Sequence, residues 1–484
     1  MMGIKLYSIN LLLALPLLVT DGCDRSEGQL SQDKSCPFDT SGMSVKINCG
    51  YLEVPENRAS PNGRTIEIAY AVIKSKDRHA QLEPVVYLMG GPGGSSLNNI
   101  RYWSRHAIVE KRDMILVDQR GTGFSRPNLC PEVGLETVNV MAKDFSPEEE
   151  YKRLNELAMA CKTSLIASGI DLGAFNSKEN AADLEDLRIH LGHEKWNLYG
   201  GSYGTRLALT MMRDYPAGIR SVILSGPFPP NANMYAELIP NFDRSLSKFF
   251  QVCEENPDCN NKYPGLKDKF REIIPQLIDT PVTFEYRGQP FIINAQDALL
   301  IIHQLLYSKT TLGQVPGFIE ALKSKDEEVI SKALKPLLQR SGAIDMGMYF
   351  SVQAFDELPF NGAAEYAQSL EELDDYKPGL AFFNSDVRIL PEWHDARADE
   401  TENLPVESNI PTLILVGQLD PVTPPSYAAL TAATLPNSYL YEFPLMSHNL
   451  FSYCPTEVFL AFLDNPFSPP ESSCTKQLPY IKFK

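Results

Sequence analysis

Short, nearly unbroken apolar runs pace this chain at Val85-Val86-Tyr87-Leu88-Met89, Met114-Ile115-Leu116-Val117, Trp196-Asn197-Leu198-Tyr199, Ser221-Val222-Ile223-Leu224 and Thr412-Leu413-Ile414-Leu415-Val416. They lack the alternation of a half-exposed strand and are too short for buried helices, so they predict strands covered on both faces, as in a parallel sheet. Residues 438–443 continue the series, whereas 44–48, 51–54 and 65–73 alternate and predict an antiparallel opening. Between the runs the period lengthens to that of a helix. Ser146-Pro147-Glu148-Glu149-Glu150 offers an N-cap, a first-turn proline and acidic residues, followed by apolar Leu154, Leu157, Ala158 and Cys161. Asn176-Ser177-Lys178-Glu179 resembles a capping box and opens a helix that should end near 191–192.

Beyond 221–226 the alternation stops, and 229–395 reads mostly as helices at 241–253, 263–278, 295–307 and 315–338, with a turn-rich stretch at 279–290. A helical block inside an α/β pattern is most simply an inserted cap. A last helix at 455–463 closes the core. The expected organisation is a signal peptide at 1–22, a tether at 23–35, the first part of an α/β core at 36–228, a helical cap at 229–395 and the second part of the core at 396–484.

Composition narrows the class. With 43% apolar and 22% charged residues the chain is globular, and its net charge of −17 disfavours nucleic acid or an anionic membrane as partner. Lys5 precedes the apolar run 11–19, which contains Pro16 and is too short to span a bilayer, so it reads as a secretory signal and predicts export to the periplasm or beyond. Thr20-Asp21-Gly22-Cys23 resembles a lipoprotein processing site, and a lipid on Cys23 is the one membrane attachment the sequence offers; plain cleavage fits as well. Setting Cys23 aside leaves eight cysteines, an even number that in an exported chain reads as disulfides. Proximity favours Cys36–Cys49, Cys130–Cys161, Cys253–Cys259 and Cys454–Cys474. Cys-x-x-Cys and His-Glu-x-x-His spacings do not occur, so neither metal nor cofactor is expected.

The chemistry centres on Gly200-Gly201-Ser202-Tyr203-Gly204-Thr205, where a buried strand runs through a glycine-flanked serine into a helix. Small residues two before and two after the serine are what a sharp strand-to-helix elbow requires. A serine hydroxyl needs a base within reach and an acid to orient that base. Asp420, in Asp420-Pro421-Val422-Thr423-Pro424, and His448, in Ser447-His448-Asn449, follow successive strands in that order. The main-chain N–H groups of Tyr203 and of Gly91, in Gly90-Gly91-Pro92-Gly93-Gly94-Ser95, are the candidate oxyanion donors. A phosphate loop is excluded because no Lys-Ser or Lys-Thr pair follows those glycines.

Together with Asp118-Gln119-Arg120-Gly121-Thr122-Gly123-Phe124-Ser125, these motifs resemble the proline iminopeptidase and tripeptidyl aminopeptidase branch of the α/β-hydrolase serine peptidases, over nearly the whole mature chain. Met89 and Ser447 depart from that pattern, where the family usually has His and often has Gly. The resemblance implies an α/β-hydrolase fold, peptide substrates with a free amino terminus, and a cap supplying carboxylates to hold that terminus. Asp356 and Glu357, in Phe355-Asp356-Glu357-Leu358-Pro359-Phe360, are the candidates for this anchor. Asp118 and Arg120 read as braces. An esterase or amidase on the same triad, and a non-catalytic binding lipoprotein, are the alternatives.

Overall fold

The computed structural model describes residues 36–77, 79, 82–361, 363–371, 385–471, 474 and 480–483, so the expected signal and tether lie outside the described residues. Ten strands are described. β1 (Ile47–Pro55), β2 (Thr65–Ile73), β3 (Val85–Leu88), β4 (Met114–Val117), β5 (Trp196–Gly201) and β6 (Ile219–Ser225) precede the helical segment, which contains β7 (Val282–Tyr286) and β8 (Gln289–Ile293). β9 (Thr412–Gly417) and β10 (Ser438–Phe443) follow it.

Eight of them form one sheet in the order β1-β2-β4-β3-β5-β6-β9-β10, antiparallel at the β1–β2 and β2–β4 junctions and parallel elsewhere. Successive residues of each central strand enter different cores. Val86, Leu88, Leu198, Val222 and Ile414 pack against one layer with Leu184, Leu207 and Met211. Val85, Tyr87, Tyr199, Ile223 and Leu413 pack against the other with Trp103, Phe459 and Phe462. Both faces are therefore apolar, which is why these strands show no alternation in sequence.

The helices start where the caps dictate. Ser146 accepts a hydrogen bond from Glu149 N at the head of Pro147–Ala167, and Asn176 does the same from Glu179 N at the head of Ser177–His190. The reciprocal half of a capping box does not close at Asn176, because the Glu179 carboxylate pairs with Arg58 at 2.7 Å. Arg120 is fully buried and meets both oxygens of Asp183 at 2.8 Å, while Asp118 accepts from Ser95 Oγ, Leu97 N and Phe124 N. Both are braces, as expected.

Two details of the helical segment differ from the sequence reading. The turn-rich stretch at 279–290 is a β-hairpin, β7 against β8, with Arg287 and Gly288 at positive φ in its turn. The expected helix at 315–338 is two helices, Val315–Ser324 and Glu327–Ser341, separated by Lys325 at φ 58° and restarted by Asp326, whose carboxylate caps Glu328 N and Val329 N. The apolar stripe of Ala321, Leu322, Ile330, Ala333 and Leu334 runs across the break, so periodicity alone does not reveal it. The segment's own core also takes in Tyr203 from the elbow, and Ile481 from the end of the chain. The four cysteine pairs expected from proximity are all joined as disulfides.

Candidate active site

Within the sheet the chain leaves β3 for β4 on one flank of that strand and returns to β5 on its other flank. Loops at the carboxyl ends of such strands diverge and open a crevice. Leu88 stands in register with Gly200, so the Gly90–Ser95 loop and the serine turn emerge side by side. Ser202 has φ 56° and ψ −128° and caps the helix Tyr203–Asp214. A Cβ on Gly204 would lie 1.9 Å from Leu88 O, and one on Gly200 would lie 2.4 Å from Gly204 O. The close packing expected of an elbow is therefore present, and neither glycine accepts a side chain.

β9 and β10 run parallel and in register, with Phe443 opposite Gly417, which brings the loops after them together. Asp420 is fully buried, and its Oδ1 accepts from Val422 N and Thr423 N, both at 2.8 Å. Its Oδ2 lies 2.8 Å from His448 Nδ1 and accepts from Thr423 Oγ1 at 2.8 Å. With both oxygens held, the carboxylate fixes the orientation of the imidazole. Ser447, the departure noted beside the histidine, donates to Leu306 O and Leu419 O and ties this loop to the helical segment. The Ser202 hydroxyl makes no hydrogen bond among the described residues; in a free enzyme the contact between nucleophile and base is often long and tightens with substrate.

Thr423 carries no sequence signal of its own, although it stands three residues after Asp420 in the same loop. Its Oγ1 lies 3.1 Å from His448 Nδ1 as well as bonding Asp420, so it braces the pair. Thr423→Val keeps the volume and removes both contacts. kcat should fall by roughly tenfold to a hundredfold with KM little changed. A rise in KM at constant kcat would instead place Thr423 on the substrate.

Tyr203 is the first residue of its helix, so its main-chain N–H has no intrahelical acceptor. The Gly91 N–H donates to no acceptor among the described residues, and Gly91 sits at φ +131°, a conformation open to glycine. Both residues border the same cavity as Ser202. The Gly90–Ser95 loop is held from above, because Asp345 N donates to Gly93 O at 2.9 Å and Asp345 Oδ2 accepts from Gly123 N at 2.8 Å. Burial raises the Asp345 carboxyl to about 6. Asp345→Ala keeps the main-chain bond to Gly93 and removes the bond from Gly123 N, so it should loosen the 118–125 loop that packs beside Gly90–Ser95 and lower kcat by at most about tenfold, read by steady-state kinetics alongside an unchanged melting profile.

The cavity has a volume of about 290 Å³ and a largely apolar wall from the helical segment, including Leu238, Leu300 and Met346. Asp356 and Glu357 do not line it. They lie in the π-helical turn Gln353–Glu357 behind Tyr203, 1% and 2% exposed. Asp356 Oδ2 is occupied by Ser177, from both N and Oγ, and Glu357 is paired with Arg206 at 2.8 Å. Burial raises these carboxyls to about 6 and about 7 respectively. The carboxylates that do border the cavity are Glu150 and Asp386, which sequence motifs did not mark. Glu150 is 3% exposed, pushed up to about 7 by burial, and its Oε2 has no hydrogen-bond partner. Asp386 accepts from Tyr349 Oη at 2.7 Å, and burial raises it too.

A sequence model of the alpha/beta hydrolase fold matches residues 83–260, which hold β3 to β6, Gly91 and Ser202. Serine protease Hip1 of Mycobacterium tuberculosis is 28% identical over 270 residues, covering 51% of this chain and 52% of that protein. The tripeptidyl aminopeptidase of Streptomyces coelicolor is 30% identical over 197 residues, covering 38% and 36%, and the proline iminopeptidase of Xanthomonas citri is 30% identical over 146 residues, covering 30% and 33%. The chain thus spans about half the length of the first of these relatives and about a third of the other two. Sheet order, serine elbow and matched sequence model together give this chain the α/β-hydrolase fold, with named peptidases among its relatives.

Proposed function

We propose that this protein is an exported serine exopeptidase that removes amino acids or short peptides from free amino termini. Ser202 attacks the scissile carbonyl, and His448 takes the hydroxyl proton and returns it to the leaving amine. Asp420 orients the imidazole and stabilises its charged form, while the Gly91 and Tyr203 N–H groups receive the oxyanion. The acyl-enzyme then yields to water by the same proton transfers in reverse.

One observation carries the exopeptidase reading: the cavity that holds Ser202 also holds Glu150 and Asp386, and neither has a cationic partner among the described residues. Buried carboxylates without a cation favour binding one, and a peptide ammonium supplies it. We assign the amine anchor to Glu150 and Asp386 in place of Asp356 and Glu357, which do not line the cavity and of which Asp356 Oδ2 is bonded by Ser177 and Glu357 is ion-paired with Arg206. Four disulfides support export, since such bonds persist in oxidising compartments.

Chromogenic amides of one to three residues, with free or acetylated amino termini, test the reading. Free termini should be preferred by about tenfold or more, and Asp386→Asn should erase most of that preference. Equal turnover of blocked and free substrates would defeat exopeptidase action, and ester turnover alone would support the esterase alternative.

A further inference from the structure

Arg340 sits in the last turn of the helix Glu327–Ser341 and borders the cavity that contains Ser202. It is half-buried and forms no ion pair among the described residues; Glu150 and Asp386 border the same cavity yet lie outside salt-bridge reach of it. Its guanidinium carbon lies 4.1 Å from the centre of the Tyr307 ring. The Tyr307 ring in turn stands edge-on to the His448 imidazole, with centroids 5.1 Å apart. Tyr307 is held there from both sides, because its carbonyl accepts from Asn449 N at 2.8 Å and its ring contacts His303.

The stack on Tyr307 and the helix carboxyl end offset part of the cost of withdrawing a guanidinium from water, but neither provides an anion. Arg340 shares a side-chain hydrogen bond with Tyr307 but carries no carboxylate among the described residues; an arginine so placed on a largely apolar cavity is a ready partner for a carboxylate, which it can grip through its remaining N–H donors. Position decides which part of the substrate brings that carboxylate. Arg340 is one aromatic ring removed from His448, and His448 is the group that faces the departing amine.

We propose that Arg340 forms a carboxylate-binding subsite on the leaving-group side of Ser202, so that the favoured substrates carry a negative charge just beyond the scissile bond. The charge comes from the terminal carboxylate of a short peptide or from an acidic side chain at that position. With the ammonium held by Glu150 and Asp386, the cavity selects short peptides charged at both ends. This inference rests on the exopeptidase reading for its peptide form, though the subsite itself concerns any leaving group.

The test compares paired substrates that differ only in that charge: peptides with a free or an amidated carboxyl end, peptides with Glu or Gln after the scissile bond, and 4-carboxyphenyl against 4-carbamoylphenyl butyrate. In the parent enzyme the charged member of at least one peptide pair, and of the ester pair, should have a kcat/KM about tenfold higher, the scale of one charge-assisted contact. Which peptide pair shows the ratio identifies the source of the carboxylate. Arg340→Met should bring the ratios to about one and Arg340→Lys should keep part of them; since each ratio is internal to one protein, a general loss of activity does not mimic the result. Parent ratios near one, or ratios that survive Arg340→Met, overturn the subsite. Cleavage of the esters without any peptide overturns the exopeptidase reading while the ester ratio still decides the subsite, and no turnover of any substrate overturns both.

Discussion

Ser202→Ala should lower hydrolysis by on the order of 10⁵-fold to 10⁶-fold while leaving the melting temperature close to that of the parent. The size follows from the role, because without the hydroxyl no acyl-enzyme forms and only binding and the oxyanion donors remain to accelerate attack by water. The unchanged stability follows from the surroundings: the Ser202 side chain makes no hydrogen bond among the described residues, and alanine meets the same backbone strain at φ 56° that serine already bears. A fluorophosphonate should label the parent and not the variant. Residual activity above about a hundredth of the parent would remove Ser202 from the mechanism. Gly204→Ala provides the contrast, since its Cβ would press into Leu88 O; there the loss should appear first as poor folding.

The parts of this site that sequence reveals are those where backbone geometry restricts residue type. The elbow needs glycines at 200 and 204, and Asp420 and His448 follow strands whose two-sided burial leaves a plain apolar signature. The same reasoning pairs neighbouring cysteines correctly, because short loops bring them together. What sequence does not reveal lies in the helical segment. Glu150, Asp386 and Arg340 converge on one cavity from helices far apart in the chain, and each is locally an ordinary charged residue on an amphipathic helix. Asp356 and Glu357 show the converse. An acidic pair in a suggestive segment stays outside the cavity lining, with Asp356 Oδ2 bonded by Ser177 and Glu357 ion-paired with Arg206, each on another helix. Tyr307, which packs on the base, has no marker beyond being aromatic at a helix end.

Arg206→Met should cost about 3–5 kcal/mol of stability at pH 8, the scale of breaking a buried ion pair from one side. Arg206 is 2% exposed, four residues after Ser202 on the elbow helix. It pairs with Glu357, donates to the carbonyls of Pro230, Asp356 and Glu402, and lies over the Phe228 ring. Methionine fills much of the space but leaves Glu357 buried without a counter-charge, beside an Asp356 that also holds an unpartnered oxygen. The sign of the pH dependence follows from the raised carboxyls. Burial lifts Asp356 to about 6 and Glu357 to about 7, while Arg206 opposes the rise for both. The folded chain therefore keeps these protons at pH values where an unfolded carboxyl, at about 4, has lost them, and the contribution of the two groups to stability falls as pH climbs through about 4 to 7. Removing Arg206 lifts both values further and extends that window upward. At pH 5 Glu357 is protonated in parent and variant alike, so the deficit should shrink toward the part due to packing and lost hydrogen bonds, and it should reach its full size by pH 8. Urea midpoints at the two pH values decide this, and an equal deficit at both would show that charge is not what Arg206 contributes. The turn that holds Asp356 and Glu357 also presents Gln353 to the cavity, so the ion pair couples the wall of the substrate site to the helix that aims Ser202. That coupling is a structural role for a carboxylate pair beside the active site.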